Sequence, residues 1–404
     1  MPATPRRLLT ALCIVAIATV ACATTEPARD TEHSAEEEAP APTAAASALP
    51  ATAPTDRPGA AGAGSMHWAE ATADVLNRPA TGDPVAHAYQ TVRELPRRAR
   101  IDGGESWREQ LRATLAEQIA LGEETRLVPV VRPLDSVEQP NGVTITRYQY
   151  LREAGLYAEL IRLEPSERLS PTPILLSPGH GDAGRDAMLG TNTGEADAYQ
   201  AGAALALAEA GYAVYLTEIR SLESATPYPL GHLAFVRMMI AQRRTALGAF
   251  VADAMQAAAV IDQIEDQASE GIVLAGVSLG AMVSVLAGQQ LDNVTGVVAS
   301  GYLGSMDGRY LAGHSCTCVY VPGIAGIADV PDVLGALAPT PLAMVMGDAD
   351  EYYPLADQQA AWPVLRAAYE GDAEESVRLF RHDGSHTWGA DAFLDAVAFV
   401  MPTR

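Results

Sequence analysis

The chain has 404 residues, room for one domain of about 250–300 residues plus attachments or for two ordinary domains. Its 50 acidic residues against 27 basic ones give a net charge of −23, with 48% hydrophobic and 19% charged residues; this excludes a phosphate-backbone binder, which needs a basic face, and a chain disordered throughout. All the basic residues are arginine, which excludes Schiff-base lysines, a P-loop phosphate clamp and a Ser–Lys dyad.

At the N-terminus Arg6 and Arg7 precede an apolar run at residues 8–20, of signal-peptide length and too short to span a bilayer. Thr19-Val20-Ala21-Cys22 resembles a bacterial lipobox, in which Cys22 would be lipidated, although Thr19 stands where a branched aliphatic residue is usual. Ala21-Cys22-Ala23 also reads as a plain cleavage site, and Arg6-Arg7 faintly resembles a twin-arginine signal. All these readings export the protein, either lipid-anchored in the cell envelope or released beyond the membrane. Residues 22–65 are mostly Ala, Pro, Thr and acidic side chains, with too little apolar surface to offset ordering, and read as a disordered tether. Residues 66–125 read as a small helical pre-domain with helices at 68–76, 84–95 and 106–122. Ser106, three residues before Glu109, is expected to open the last of these as a capping box. His87 has no chemical partners in sequence and reads as a packing residue.

Residues 126–404 alternate strands and helices. Strands at 143–151 and 156–163 form an antiparallel pair around the turn Arg152-Glu153-Ala154-Gly155. Short apolar strands follow at 173–177, 212–219, 271–275, 294–300, 342–346 and 377–380. Helices are expected at 198–210, 233–266 (bent or split near Gly248), 279–289, 356–369 and 391–399. The fold class is therefore α/β, a mostly parallel central sheet with helices on both faces, preceded by a small helical N-terminal segment.

Gly276-Val277-Ser278-Leu279-Gly280 is a G-x-S-x-G pentapeptide between a buried strand and a helix, the context a nucleophile elbow needs. A serine hydroxyl requires a base, and the base requires a carboxylate to orient it. Of the three histidines after Ser278, His386 lies just beyond the last strand and is the expected base, with His382 the alternative. Gly347-Asp348-Ala349-Asp350-Glu351 follows the preceding strand; Asp350 is the expected acid, Asp348 a brace of the turn and Glu351 solvent-facing. The oxyanion donors are expected to be the backbone N–H of Leu279 and, from the loop Pro178-Gly179-His180-Gly181, that of His180. The adjacent Tyr352-Tyr353 reads equally as an acyl-pocket wall or as packing.

With these residues in place the chain resembles the α/β-hydrolase superfamily over roughly residues 125–404, most of all bacterial dienelactone-hydrolase-like and acetyl-xylan-esterase-like serine hydrolases. Pro178-Gly179-His180-Gly181 resembles the H-G-H-G of that group with Pro in first place. Glu218-Ile219-Arg220-Ser221-Leu222-Glu223 resembles D-x-R-G-x-G without its glycines, and the segment from His314 to Gly323 resembles a Cys-containing stretch ahead of the acid strand. Dienelactone hydrolases proper use Cys as nucleophile, so Ser278 points to esterase chemistry.

Cys316 and Cys318 read as packed thiols, with a strained disulfide as alternative. The set His314, Cys316 and Cys318 lacks the four ligands of a structural zinc site, so no metal is expected. The resulting expectation is an exported serine hydrolase of carboxylic esters, free or saccharide-linked, using no cofactor, no nucleic acid and no membrane contact beyond the lipid anchor. A serine exopeptidase is the second reading, though about 100 tethered and helical residues cannot supply the propeller that such enzymes use to restrict access. An inactive surface interaction protein is the third.

Overall fold

A computed structural model describes residues 105–402 apart from 122–126, 182, 192–193, 223–230, 266–270, 309–314, 370 and 372–373. Residues 1–104 lie outside the described residues, and with them the expected signal, the tether, Cys22, His87 and the helices at 68–76 and 84–95. His314 and Glu223 lie outside them too.

Among the described residues nine strands form one sheet. They are β1 Val131–Glu138, β2 Thr144–Glu153, β3 Leu156–Glu164, β4 Ile174–Ser177, β5 Val214–Leu216, β6 Ile272–Val277, β7 Val294–Ser300, β8 Leu342–Gly347 and β9 Val377–His382. The order is β1-β2-β3-β5-β4-β6-β7-β8-β9. β1, β2, β3 and β5 pair antiparallel, whereas β5-β4-β6-β7-β8-β9 run parallel.

The parallel strands β4, β6 and β8 are buried at every position, because helices cover both faces and leave no side wet. Successive side chains go to opposite layers. Leu175, Leu274, Met344 and Met346 face one core, shared with α1 (Glu105–Gln118), α5 (Ala246–Ile264) and α6 (Leu279–Gly288). Ile174, Leu176, Val273, Ala275 and Val345 face the other, shared with α3 (Ala203–Glu209) and α9 (Ala390–Val400). The remaining helices are α2 (Gly184–Met188), α4 (Gly231–Ala241), α7 (Val330–Gly335) and α8 (Leu355–Ala367).

The helix expected at 106–122 is α1, and it is built into the sheet's core. Leu111, Leu115 and Ile119 are buried with Leu247 and Phe250, and Arg112 Nε donates to Ala336 O at 2.8 Å. Ser106 sits inside the first turn rather than ahead of it, its hydroxyl accepting from Gln110 Nε2 at 3.1 Å, so no capping box forms there.

Other expectations shift for identifiable reasons. The helix expected at 198–210 is a 3-10 turn, Glu195–Gln200, followed by α3; Gly202 between them has φ +74°. The strand expected at 212–219 narrows to β5. The helix expected at 233–266 splits into α4 and α5 at residues 242–245, not at Gly248. Arg243 there takes φ +60°, and Thr245 caps α5 by accepting from Gly248 N at 2.9 Å. Gly248 serves close packing instead: a Cβ on it would collide with Ile119 O. β1 was not expected, because seven of its eight residues are exposed and no alternating apolar face marks it.

From β4 the chain steps to β5 on one side, then returns to β6 on the other. The carboxyl ends of β4 and β6 therefore flank a topological switch point, where the loops of an open α/β sheet diverge and leave a crevice.

Candidate active site

Ser278 stands at that crevice, between β6 and α6, with φ +55° and ψ −113°. A non-glycine residue in this region carries strain of order 1–3 kcal/mol and persists only where its surroundings over-determine it. Here they do. Ser278 N donates to Ser300 O at the end of β7, at 2.8 Å, and Ser278 O accepts from Met282 N, starting α6. A Cβ on Gly276 would collide with Gly280, and one on Gly280 with Ser177 O. The spacing G-x-S-x-G is thus demanded by backbone approaching backbone on both sides of the turn.

Asp350 follows β8. Its Oδ1 accepts the amides of Tyr352 at 2.8 Å and Tyr353 at 2.9 Å, and its Oδ2 lies 2.8 Å from His386 Nδ1. Asp350 is 4% and His386 7% exposed. The imidazole is walled by aromatic rings: Tyr352 edge-on at 4.8 Å, Tyr353 stacked at 6.2 Å and Tyr199 tilted at 5.7 Å. The Tyr352-Tyr353 pair therefore packs on the His386 ring.

Gly301, next to Ser300, supplies the remaining wall. A Cβ there would sit 2.7 Å from His386 Cε1, and its φ is +66°. Since Ser300 O holds the Ser278 amide, the serine turn and the imidazole meet across two consecutive residues of β7's end.

Asp348 and His382 have other tasks. Asp348 is exposed and accepts from Arg381 Nε at 2.7 Å. His382 Nδ1 accepts from Gly384 N at 3.1 Å, and Gly347, Gly384 and Gly389 all border its ring. His382 is thus the post around which the loop to α9 wraps, presenting His386 above it. Glu351 is exposed as expected, yet its Oε2 accepts the His386 amide at 3.2 Å.

No protein-family model matches the chain, and no curated protein matches it. Solved structures do. A protein assigned as an acetyl xylan esterase from Bacteroides fragilis superposes with a TM-score of 0.60 at 18% identity, over 75% of this chain and 82% of that one. A glucuronoyl esterase from Solibacter usitatus gives 0.52 at 13%, over 80% and 99%. A carbohydrate esterase family 15 glucuronoyl esterase from Caldicellulosiruptor kristjansonii gives 0.52 at 14%, over 76% and 89%. This is the α/β-hydrolase fold.

In an α/β-hydrolase the loop after β4 faces the nucleophile turn, and here that loop is tied down at several points. Gly179 N donates to Gln200 Oε1 at 2.7 Å, so this amide is already spent. Tyr199 Oη donates to His180 O at 3.0 Å. Asp197 and Tyr199 crowd Gly181 and Gly179, leaving no room for a Cβ at either. Leu279 is buried at the N-terminus of α6, where unpaired amides and the helix dipole favour negative charge. Tyr199, Gln200 and Gly301 were not singled out from the sequence: each acts through a neighbour distant along the chain, and no local pattern records that.

The Glu218-Ile219-Arg220 segment does not pair with itself. Arg220 makes a two-pronged contact with buried Asp253 of α5 and reaches Glu153 at 2.7 Å. Glu218 pairs with Arg152 and Arg185, at 3.3 Å each.

Cys316 and Cys318 are free thiols, the second buried. Among the described residues, His180 and His232 stand beside them. Cys316 Sγ lies 3.4 Å from His232 Nε2. The hydrogen bond from Cys318, opposed by burial and reinforced by hydrogen bonds to His180 and His232, lowers the Cys316 thiol pKa to about 2.

Proposed function

We propose that the protein hydrolyses carboxylic esters through a triad of Ser278, His386 and Asp350. His386 Nε2 takes the proton of Ser278 Oγ as that oxygen attacks the ester carbonyl, while Asp350 holds Nδ1–H and balances the imidazolium charge. The oxyanion of the tetrahedral intermediate accepts from the N–H groups of Leu279 and His180. The intermediate collapses, the alcohol leaves with the proton from His386, and an acyl group remains on Ser278. Water then attacks this acyl-enzyme, giving its proton to His386, which returns it to Ser278 Oγ as the acid departs. Ester and water become acid and alcohol, with no cofactor entering the balance.

One observation carries the reading: the buried Asp350–His386 hydrogen bond of 2.8 Å, whose imidazole borders Gly301, the residue after the Ser300 carbonyl that holds the Ser278 amide. The esterase names of the structural neighbours support esters over amides as substrate class, and saccharide-linked esters within it. Residues 1–21 as an export signal and Cys22 as its lipid attachment point complete the proposal.

A fluorophosphonate probe tests the nucleophile. Wild-type protein should be labelled and Ser278→Ala should not; equal labelling of both would remove Ser278 from the mechanism. Hydrolysis of p-nitrophenyl acetate against aminoacyl anilides then separates ester from peptide preference. Globomycin-sensitive processing at Cys22 tests the anchor.

A further inference from the structure

Two of the chain's eight histidines and two of its four cysteines, none of them a triad side chain, converge from three separate segments. His180 comes from the loop after β4, His232 from the first turn of α4, and Cys316 and Cys318 from the stretch after β7. One ligand atom from each lies within 4.8 Å of all the others. The Cys316 Sγ to His232 Nε2 separation is 3.4 Å, and the His180 and His232 rings meet edge to face at 5.2 Å between centroids. A tetrahedral zinc ion bound at about 2.0–2.3 Å holds its ligand atoms about 3.3–3.8 Å apart, so a small inward adjustment closes this set around one ion.

The surroundings fit a metal more closely than a packed thiol pair. Ser221 Oγ lies 2.9 Å from His232 Nδ1. With the proton on Nδ1 donated to Ser221, the lone pair of Nε2 points at the sulfurs, the arrangement in which an outer hydrogen bond orients a ligating imidazole. Ser221 takes φ +71° to stand there, a conformation that glycine would adopt without strain. A disulfide between Cys316 and Cys318 would use two of the four groups and leave both imidazoles without a task. Two sulfurs and two imidazole nitrogens in a tetrahedron select zinc among the common divalent ions.

We propose that His180, His232, Cys316 and Cys318 form a structural zinc site that clips the loop after β4 to α4 and to the segment after β7. Four protein ligands close the coordination sphere, so the ion is a staple rather than a second catalytic centre. Because His180 belongs to the loop facing Ser278, the staple also sets where that loop lies. The site stands independently of the ester reading, since none of its side chains belongs to the triad.

The test is metal content and spectroscopy on the whole chain, purified under reducing conditions without chelator. Elemental analysis should find about one zinc per chain. Replacing zinc by cobalt should give the intense visible bands of a tetrahedral site together with thiolate-to-cobalt charge transfer in the near ultraviolet. His232→Ala and the Cys316→Ser/Cys318→Ser double variant should both lose the stoichiometric ion. Because these variants can also fail through misfolding, the cobalt spectrum of the wild type decides by itself. Reduced wild type that takes up neither metal overturns the proposal, as does cobalt bound without charge transfer. Unchanged zinc content in the folded double variant overturns it equally.

Discussion

Asp350 Oδ2 lies 2.8 Å from His386 Nδ1, whereas Asp348, two residues earlier on the same turn, is held outward by Arg381. The two amides of Tyr352 and Tyr353 occupy Oδ1 of Asp350 and leave Oδ2 free for the imidazole. Two carboxylates of one sequence cluster are thereby given unequal work. Asp350→Asn should keep the packing but favour the wrong imidazole tautomer, lowering kcat on p-nitrophenyl acetate by about 10²–10⁴-fold. Asp348→Asn removes an exposed ion pair worth at most about 1 kcal/mol and should change kcat less than about fivefold. Equal losses in the two variants would reassign the acid.

Gly301→Ala probes the wall behind the base. The added methyl would stand 2.7 Å from His386 Cε1, on a backbone at φ +66°. The conformation costs about 1–2 kcal/mol, and the clash displaces the imidazole from Ser278. Fluorophosphonate labelling should slow by about tenfold or more, with a moderate drop in Tm. Unchanged labelling would place the working imidazole elsewhere.

Gln200→Leu tests the loop after β4. Gln200 is fully buried, and its Oε1 accepts the Gly179 amide. The substitution leaves a buried N–H unpaired, at a cost of about 1–3 kcal/mol, and frees the loop carrying His180. A fall in kcat exceeding the change in KM is expected, since the oxyanion forms only along the reaction path.

The ion network beneath α5 bears on stability rather than turnover. Asp253 of α5 is 3% exposed and holds Arg220, with Arg152 at 3.6 Å. Asp253→Ala removes the carboxylate shared by two buried guanidinium groups, leaving Glu153 and Glu218 as their remaining partners, and should destabilise the fold by about 2–4 kcal/mol, toward the low end for breaking a buried pair. Urea unfolding measures this directly; a loss below about 1 kcal/mol would show that the existing pairs with Glu153 and Glu218 suffice for both arginines.

Acid should attack a second cluster, at the end of α5. Burial raises the Glu265 carboxyl, but hydrogen bonds from Arg168 and Tyr215 and the charge of Arg162 outweigh it, so its pKa is lowered overall. A carboxylate depressed in the folded state contributes stability that is present above its unfolded pKa of about 4.3 and lost as pH falls through the folded value. Glu265→Gln should therefore destabilise by about 1–3 kcal/mol at neutral pH, between an exposed and a buried pair. The difference from wild type should shrink below about pH 4. A difference independent of pH would assign the effect to packing.

Much of this architecture is written locally. The apolar runs of β4, β6, β7 and β8 are continuous because both faces of a parallel sheet are covered, and that pattern identifies them without a partner in view. The Gly276 and Gly280 flanks mark the serine turn for a reason confined to adjacent residues. Where the chain order and strand ends were enough, as for Asp350 and His386, the expected pair is one that hydrogen-bonds. β1 escaped notice because an exposed edge strand has no apolar period, and the long helix breaks at residues 242–245 because Arg243 adopts a left-handed turn that no glycine announces.

Composition and short-range pattern determined the alternating fold and the identity of the strained serine, and the absence of lysine left histidine as the proposed base. They could do so because strand period, turn sterics and side-chain chemistry act between near neighbours. Only the tertiary structure decided that His382 is a post for the loop to α9, that Gly301 makes room for the imidazole, and that His180 and His232 meet Cys316 and Cys318. Those relations join residues up to 138 positions apart, from His180 to Cys318. They exist because sheet order and loop packing bring chain segments together that no sequence period connects.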